Sequence, residues 1–132
     1  MAETALVESQ LVDAIELLRV LDISGNGPTL AVWYFYEDVD QWRLILAGPS
    51  FDALLPKSEA FAYKGLAETI AGASLKSISV SDLKLMLTTS PLARALRSMI
   101  QGPPGATMRA RFVDTTFNNI FVKEMVILRS SA

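Results

Sequence analysis

The residue types that most often perform chemistry are missing from this chain. Its 132 residues include no cysteine and no histidine. Disulfides, thiolate nucleophiles, imidazole bases and the commonest zinc ligands are therefore excluded. The groups left for acid–base or nucleophilic work are carboxylates, lysines, serines and tyrosines. The chemistry that the sequence allows depends on where these groups cluster.

One close pair of carboxylates lies in a loop, in the segment Asp38-Val39-Asp40. Two carboxylates suit a hard cation such as magnesium or calcium. A metal site needs further oxygen ligands, however, and acidic residues are common in turns. We expect no metal and no cofactor.

Two other groupings resemble catalytic arrangements. Ser81-Asp82-Leu83-Lys84 matches the Ser-x-x-Lys spacing of serine β-lactamases, but that motif needs a helix and this segment alternates like a strand. Glu124 falls on the same predicted sheet face as Arg109 and Arg111, where a cross-strand ion pair explains it without catalysis. We predict no catalytic residue, and a binding role in preference to an enzymatic one.

The composition predicts a folded single domain over residues 1–132. The chain is 51% hydrophobic and 20% charged, with a mean hydropathy of +0.33, which excludes disorder. Periodicity, turn residues and caps predict helices over 4–22, over 57–71 and from Ser90-Pro91 onward, and strands over 29–37, 41–48, 82–88, 106–115 and 120–129. The order α-β-β-α-β-α-β-β predicts an α+β fold, a single mainly antiparallel five-stranded sheet with three helices on one side.

Side chains alternate across each strand, so each strand yields two faces. One face is wholly apolar and should pack under the helices. It comprises Ala31, Trp33, Phe35, Trp42, Leu44, Leu46, Leu83, Leu85 and Leu87, with Met108, Ala110, Phe112, Met125 and Ile127 from the last hairpin. The far face mixes aliphatic residues with tyrosines and cations. Its predicted binding residues are Tyr34, Tyr36, Arg43, Lys84, Arg109 and Arg111.

The composition of the far face favours a protein contact. Tyrosine, methionine and arginine are enriched at interfaces, and soluble monomers rarely leave an apolar patch bare. We predict a non-catalytic interaction module that forms a homodimer or docks a protein partner. In a competing arrangement, one of the chain's own helices crosses to this face and buries it.

Two other functions remain open. The aromatic and basic residues of the far face would suit single-stranded nucleic acid, although the pI of about 5.1 argues against it. A small-molecule site or enzyme between the helices and the sheet would require a polar pocket containing Glu124 or Asp40.

Charge and hydropathy bear on location and partners. Residues 1–70 hold eleven acids and four bases, whereas residues 71–132 hold three acids and eight bases; such asymmetry hints at a charged partner. The N-terminus is acidic, and no apolar run approaches the ~18 residues of a membrane span. We expect a soluble, cytoplasmic protein with no membrane partner.

Overall fold

Five strands form one sheet at the centre of the computed structural model, which describes residues 5–131. The strands are β1 Leu30–Tyr36, β2 Gln41–Ala47, β3 Leu83–Leu85, β4 Ala110–Phe117 and β5 Ile120–Ser130. They lie in the order β3-β2-β1-β5-β4. Every neighbouring pair is antiparallel except β2 and β3, which are parallel. The predicted α+β fold with a mainly antiparallel five-stranded sheet is confirmed, and the sheet is mixed.

In the described part of the chain, four α-helices accompany the sheet: α1 Glu8–Ile23, α2 Pro49–Leu54, α3 Glu59–Gly72 and α4 Pro91–Met99. Three of them match the predicted helices. The short α2 lies in a stretch that we expected to be irregular, where Pro49 occupies the first turn, the position that proline tolerates best. Ser58 and Ser90 cap α3 and α4 by accepting hydrogen bonds from Phe61 and Ala93 N–H. Short 3-10 turns cover Glu37–Val39 and Val80–Asp82.

The sheet is covered on both sides, so the prediction that all helices share one side is wrong. On one side, here the α1 face, Trp33, Leu44 and Val126 join the buried residues of α1 and α3. On the other, here the α4 face, the sheet packs against Ala93 and Leu96 of α4. With half of its residues apolar, the chain can fill two cores, and β1 is buried on both faces except at Tyr36.

The strand register corrects the predicted faces of the last hairpin. Trp33 lies opposite Val126, which lies opposite Arg111. Directly opposed residues project to the same side of a sheet, so Arg111 is on the α1 face. By the same register Tyr34 shares the α4 face with Met125 and Phe112. We predicted the reverse, because both faces of this hairpin carry apolar residues.

The outer part of the last hairpin extends beyond the pairing with β1. The β1–β5 register ends at Tyr34 opposite Met125, whereas β4 and β5 stay paired out to Phe117 and Ile120. We call residues 113–124 the arm. Its tip is a two-residue turn, Asn118-Asn119, with φ of 47° and 63°, as a tight hairpin requires.

Neither edge of the sheet offers a long, flat strand. β3 has only three residues. On the opposite edge, Asp114 of β4 has φ of 47°, a left-handed conformation that interrupts the side-chain alternation. Short edges and local kinks both hinder pairing with another chain.

A buried arginine ties the end of β5 to α1. The Arg129 side chain is 2% exposed and donates from both terminal nitrogens to the two carboxylate oxygens of Asp22, each at 2.8 Å. Its remaining N–H groups reach the carbonyl oxygens of Pro28, Gly105 and Ala106 at 3.0–3.3 Å. All five donors of the guanidinium are satisfied, so Arg129 is a structural residue.

Candidate functional site

The six predicted binding residues do not share one surface. Tyr34 lies opposite Arg43, and Ile45 opposite Lys84, so Tyr34, Tyr36, Arg43 and Lys84 belong to the α4 face. Arg109 and Arg111 lie on the α1 face, so the prediction of a single face is wrong for these two arginines. The binding role of the set remains a prediction.

The two arginines on the α1 face already have carboxylate partners. Arg109 Nη1 lies 2.9 Å from Glu8 of α1, and Arg111 Nη1 lies 2.7 Å from Glu124 on the neighbouring strand. The Glu124 residue is only 4% exposed. The predicted cross-strand ion pair for Glu124 is confirmed. Arg111 joins β4 to β5, and Arg109 links the start of the last hairpin to α1.

Where β1 and β5 separate, the structure contains an open groove. We call it the tyrosine groove; it has a volume of about 270 Å³. Its lining residues are Tyr34, Phe35, Tyr36, Glu37, Asp38, Phe121 and Lys123. One wall is the end of β1 with the following 3-10 turn, and the other is the arm. The groove contains two of the predicted binding residues.

The two tyrosines form the aromatic part of the groove. Their ring centroids are 4.9 Å apart with the planes tilted by 53°. Tyr34 is 8% exposed, and within residues 5–131 neither hydroxyl takes part in a hydrogen bond. Burial raises the pKa of both phenols. For Tyr36, negative charge on Tyr34 raises the pKa further and the Arg43 guanidinium opposes the rise.

Sequence reasoning missed Phe121, which contributes the most exposed aromatic ring of the groove. Phe121 is 52% exposed and lies opposite Thr116, while its neighbours Ile120 and Val122 pack into the α4-side core. Three consecutive apolar residues in an edge hairpin cannot all face one core. The run Ile120-Phe121-Val122 was therefore the available signal.

Within residues 5–131, some charged side chains around the groove have a polar partner and others form no ion pair. Lys123 Nζ lies 3.4 Å from Asp114 of the arm. The half-buried Arg43 donates to the Trp42 carbonyl and to the Gln41 side chain. Glu37 and Asp38 form no ion pair with any residue in 5–131. Lys84 is exposed but lies on β3, two strands away from Tyr34.

Further depressions lie elsewhere among the described residues. An open one of about 450 Å³ beside α4 is lined by Thr89, Pro91, Arg94, Ala95, Asn118 and Ile120. An apolar cleft of about 150 Å³ between α1, α2 and α3 has Leu21, Phe51 and Leu66 in its lining and Gly65 at its wall. An open polar depression of about 230 Å³ contains Asp40 and Asp82. Its lining includes two carboxylates, two amides and the Arg43 side chain, but no hydroxyl, thiol or amine.

Within residues 5–131, no three carboxylate, histidine or cysteine side chains gather where they could hold a metal ion. No helix in this part is long and apolar enough to cross a bilayer. Comparison with protein-family models, curated proteins and solved structures finds no match to this chain.

Proposed function

We propose that this chain is a non-catalytic protein-interaction module and that the tyrosine groove is its docking surface. The observation that carries the proposal is the exposed Phe121 ring beside the Tyr34–Tyr36 pair. Aromatic residues at the centre of a contact account for much of the energy of protein binding. An open groove of this volume suits a protruding side chain or a short segment of another protein more than an enclosed metabolite.

Because α4 covers much of the α4 face, the docking surface is smaller than the whole sheet face that the sequence predicted. α4 buries most of that face, so the broad contact first expected there has no basis. The groove lies beyond α4, where the pairing of β1 with β5 ends. The sheet edges do not compete with it, because β3 is short and β4 is kinked at Asp114.

The alternative functions receive less support. A single-stranded nucleic-acid site needs cations beside stacking aromatic rings. Arg109 and Arg111 lie on the other side of the sheet in ion pairs, and Glu37 and Asp38 flank the tyrosines instead. An enzyme or small-molecule site at Asp40 would lie in an open depression and would depend on carboxylates, since the lining offers no hydroxyl, thiol or amine.

Peptide selection tests the proposal without knowledge of the natural partner. A displayed library of random dodecamers is selected on the wild-type chain, and Phe121→Ser serves for counter-selection. Phe61→Ser is the matched control, since Phe61 is 62% exposed on α3 and lies outside the groove. We expect enriched peptides that bind wild type and Phe61→Ser but not Phe121→Ser.

Light scattering of the same three proteins, at low and high salt, tests self-association. Absorbance at 260 and 280 nm on the same peak detects bound nucleic acid. A dimer that persists in salt and is lost only in Phe121→Ser also supports docking at the groove, with a second copy as occupant. A monomer under all conditions, together with no groove-dependent peptide, would refute the proposal.

A further inference from the structure

We infer that the tyrosine groove accepts an arginine or lysine side chain from a basic segment of another protein. This inference rests on the proposed docking function and adds the chemistry of the partner. It joins three independent features of the groove: its aromatic rings, its two carboxylates without an ion-pair partner within residues 5–131, and the accessible hydroxyl of Tyr34.

The aromatic rings provide the first feature. Tyr34 and Tyr36 stand 4.9 Å apart, and Phe121 belongs to the opposite wall. A guanidinium or ammonium is attracted to the face of such rings, and the methylene groups of its side chain cover their apolar surface. Arginine also stacks on aromatic planes, which favours it over lysine here.

Charge supplies the second feature. Glu37 and Asp38 both line the groove and have no ion-pair partner within residues 5–131. Among the described residues, Lys123 is the only cation that lines the groove, and it is paired with Asp114. The Arg43 guanidinium lies outside the lining and is held by Gln41 and the Trp42 carbonyl. The groove therefore has two free negative charges for a guest cation.

The Tyr34 hydroxyl provides the third feature. This residue is 8% exposed, lines the groove and makes no hydrogen bond within residues 5–131. The hydroxyl itself is not among the fully buried unpartnered atoms of the described residues, which are Trp33 Nε1 and Ser130 Oγ, so it is open to a donor that enters the groove. A phenol oxygen accepts from a guanidinium N–H, so an arginine from the partner would donate to it.

The partner's charge is tested with a synthetic heptapeptide of alternating threonine and arginine and with its citrulline counterpart. Citrulline keeps the shape of arginine but has no charge. Binding is followed by amide nitrogen–proton shifts of the ¹⁵N-labelled chain. We expect the arginine peptide to shift residues 34–38 and 121–123 and to bind at least about fivefold more tightly than the citrulline peptide. Added salt should weaken binding of the arginine peptide.

Variants separate charge from packing. Glu37→Gln/Asp38→Asn should weaken the arginine peptide about fivefold or more, whereas Glu59→Gln/Glu68→Gln, which neutralises two exposed acids of α3, should not. Tyr34→Phe, which removes one oxygen, should weaken binding by about twofold to fivefold.

The possible failures are distinguishable. Equal binding of the arginine and citrulline peptides at the groove would overturn the inference and leave the docking function standing. Selected dodecamers without arginine or lysine, or a wild-type dimer lost in Phe121→Ser, would do the same. Amide shifts confined to residues outside the groove would also overturn it. If the selection yields no groove-dependent peptide and light scattering shows a monomer under all conditions, the docking function itself is refuted.

Discussion

Replacing Arg129 with methionine should destabilise the fold strongly. Methionine keeps much of the side-chain volume but removes all five N–H donors, which leaves three carbonyl oxygens and the Asp22 carboxylate without their partner. Each carbonyl left unsatisfied costs about 1 kcal/mol. The Asp22 side chain is 39% exposed and can regain water, so its share is small. We expect a loss of about 3 to 4 kcal/mol, within the usual range for removing one member of a buried pair.

Urea unfolding followed by the fluorescence of the buried Trp33 and Trp42 measures this loss. With a slope of about 2 kcal/mol per molar urea, the midpoint should fall by about 1.5 to 2 M. Arg19→Met is the control, because Arg19 is 59% exposed in a surface pair with Glu16, and its midpoint should match wild type. If Arg129→Met unfolds at the same urea concentration as Arg19→Met, the reasoning about buried donors is wrong.

Three further predictions concern other parts of the molecule. Gly65→Ala should raise the unfolding free energy by about 1 kcal/mol, since Gly65 lies within α3 and an added methyl group meets nothing within 4 Å; a lower melting temperature in calorimetry would contradict this. Leu96→Ala should cost about 2 to 4 kcal/mol in urea unfolding, because Leu96 is the fully buried residue through which α4 packs on the sheet; a neutral result would mean that α4 does not cover the sheet. Tyr34 and Tyr36 have raised pKa values in the folded protein. Their contribution to the free energy of unfolding is therefore fully present below pH ~10, the pKa of tyrosine in the unfolded chain, and is lost as the pH rises from there through the pKa of the folded state. In a titration followed by absorbance near 295 nm, both phenols should ionise at a higher pH than the tyrosines of the chain unfolded in urea. Ionisation at a lower pH would refute this prediction.

The sequence indicated the strands well because their signals are local. The alternation of the first hairpin, the Ser90-Pro91 helix start and the asparagines at 118–119 each depend on a few neighbouring residues. The structure accordingly places β1, β2 and α4 within about two residues of the predicted starts. The α2 helix escaped notice because six residues are too few to show a helical period.

Which side of the sheet each residue faces depends on information that is not local. In the last hairpin both sets of alternating residues are apolar enough for a core, so alternation could not decide which set lies with Trp33. The choice follows from the register of β5 on β1, with Trp33 opposite Val126. The same error placed Arg109 and Arg111 beside Tyr34. The groove was also hidden, because it arises where two strands distant in sequence separate.

The double burial of β1 has a consequence for biosynthesis. Its segment Leu-Ala-Val-Trp-Tyr-Phe-Tyr, residues 30–36, contains no charge, proline or glycine, the character of sequences that assemble into fibrils when unfolded chains meet. The acidic run at 37–40 and Pro28 flank it as gatekeepers. β1 pairs with β5, so in a nascent chain one edge of this segment stays unpaired until β5 has left the ribosome. Truncated or slowly refolding chains should therefore accumulate as insoluble material.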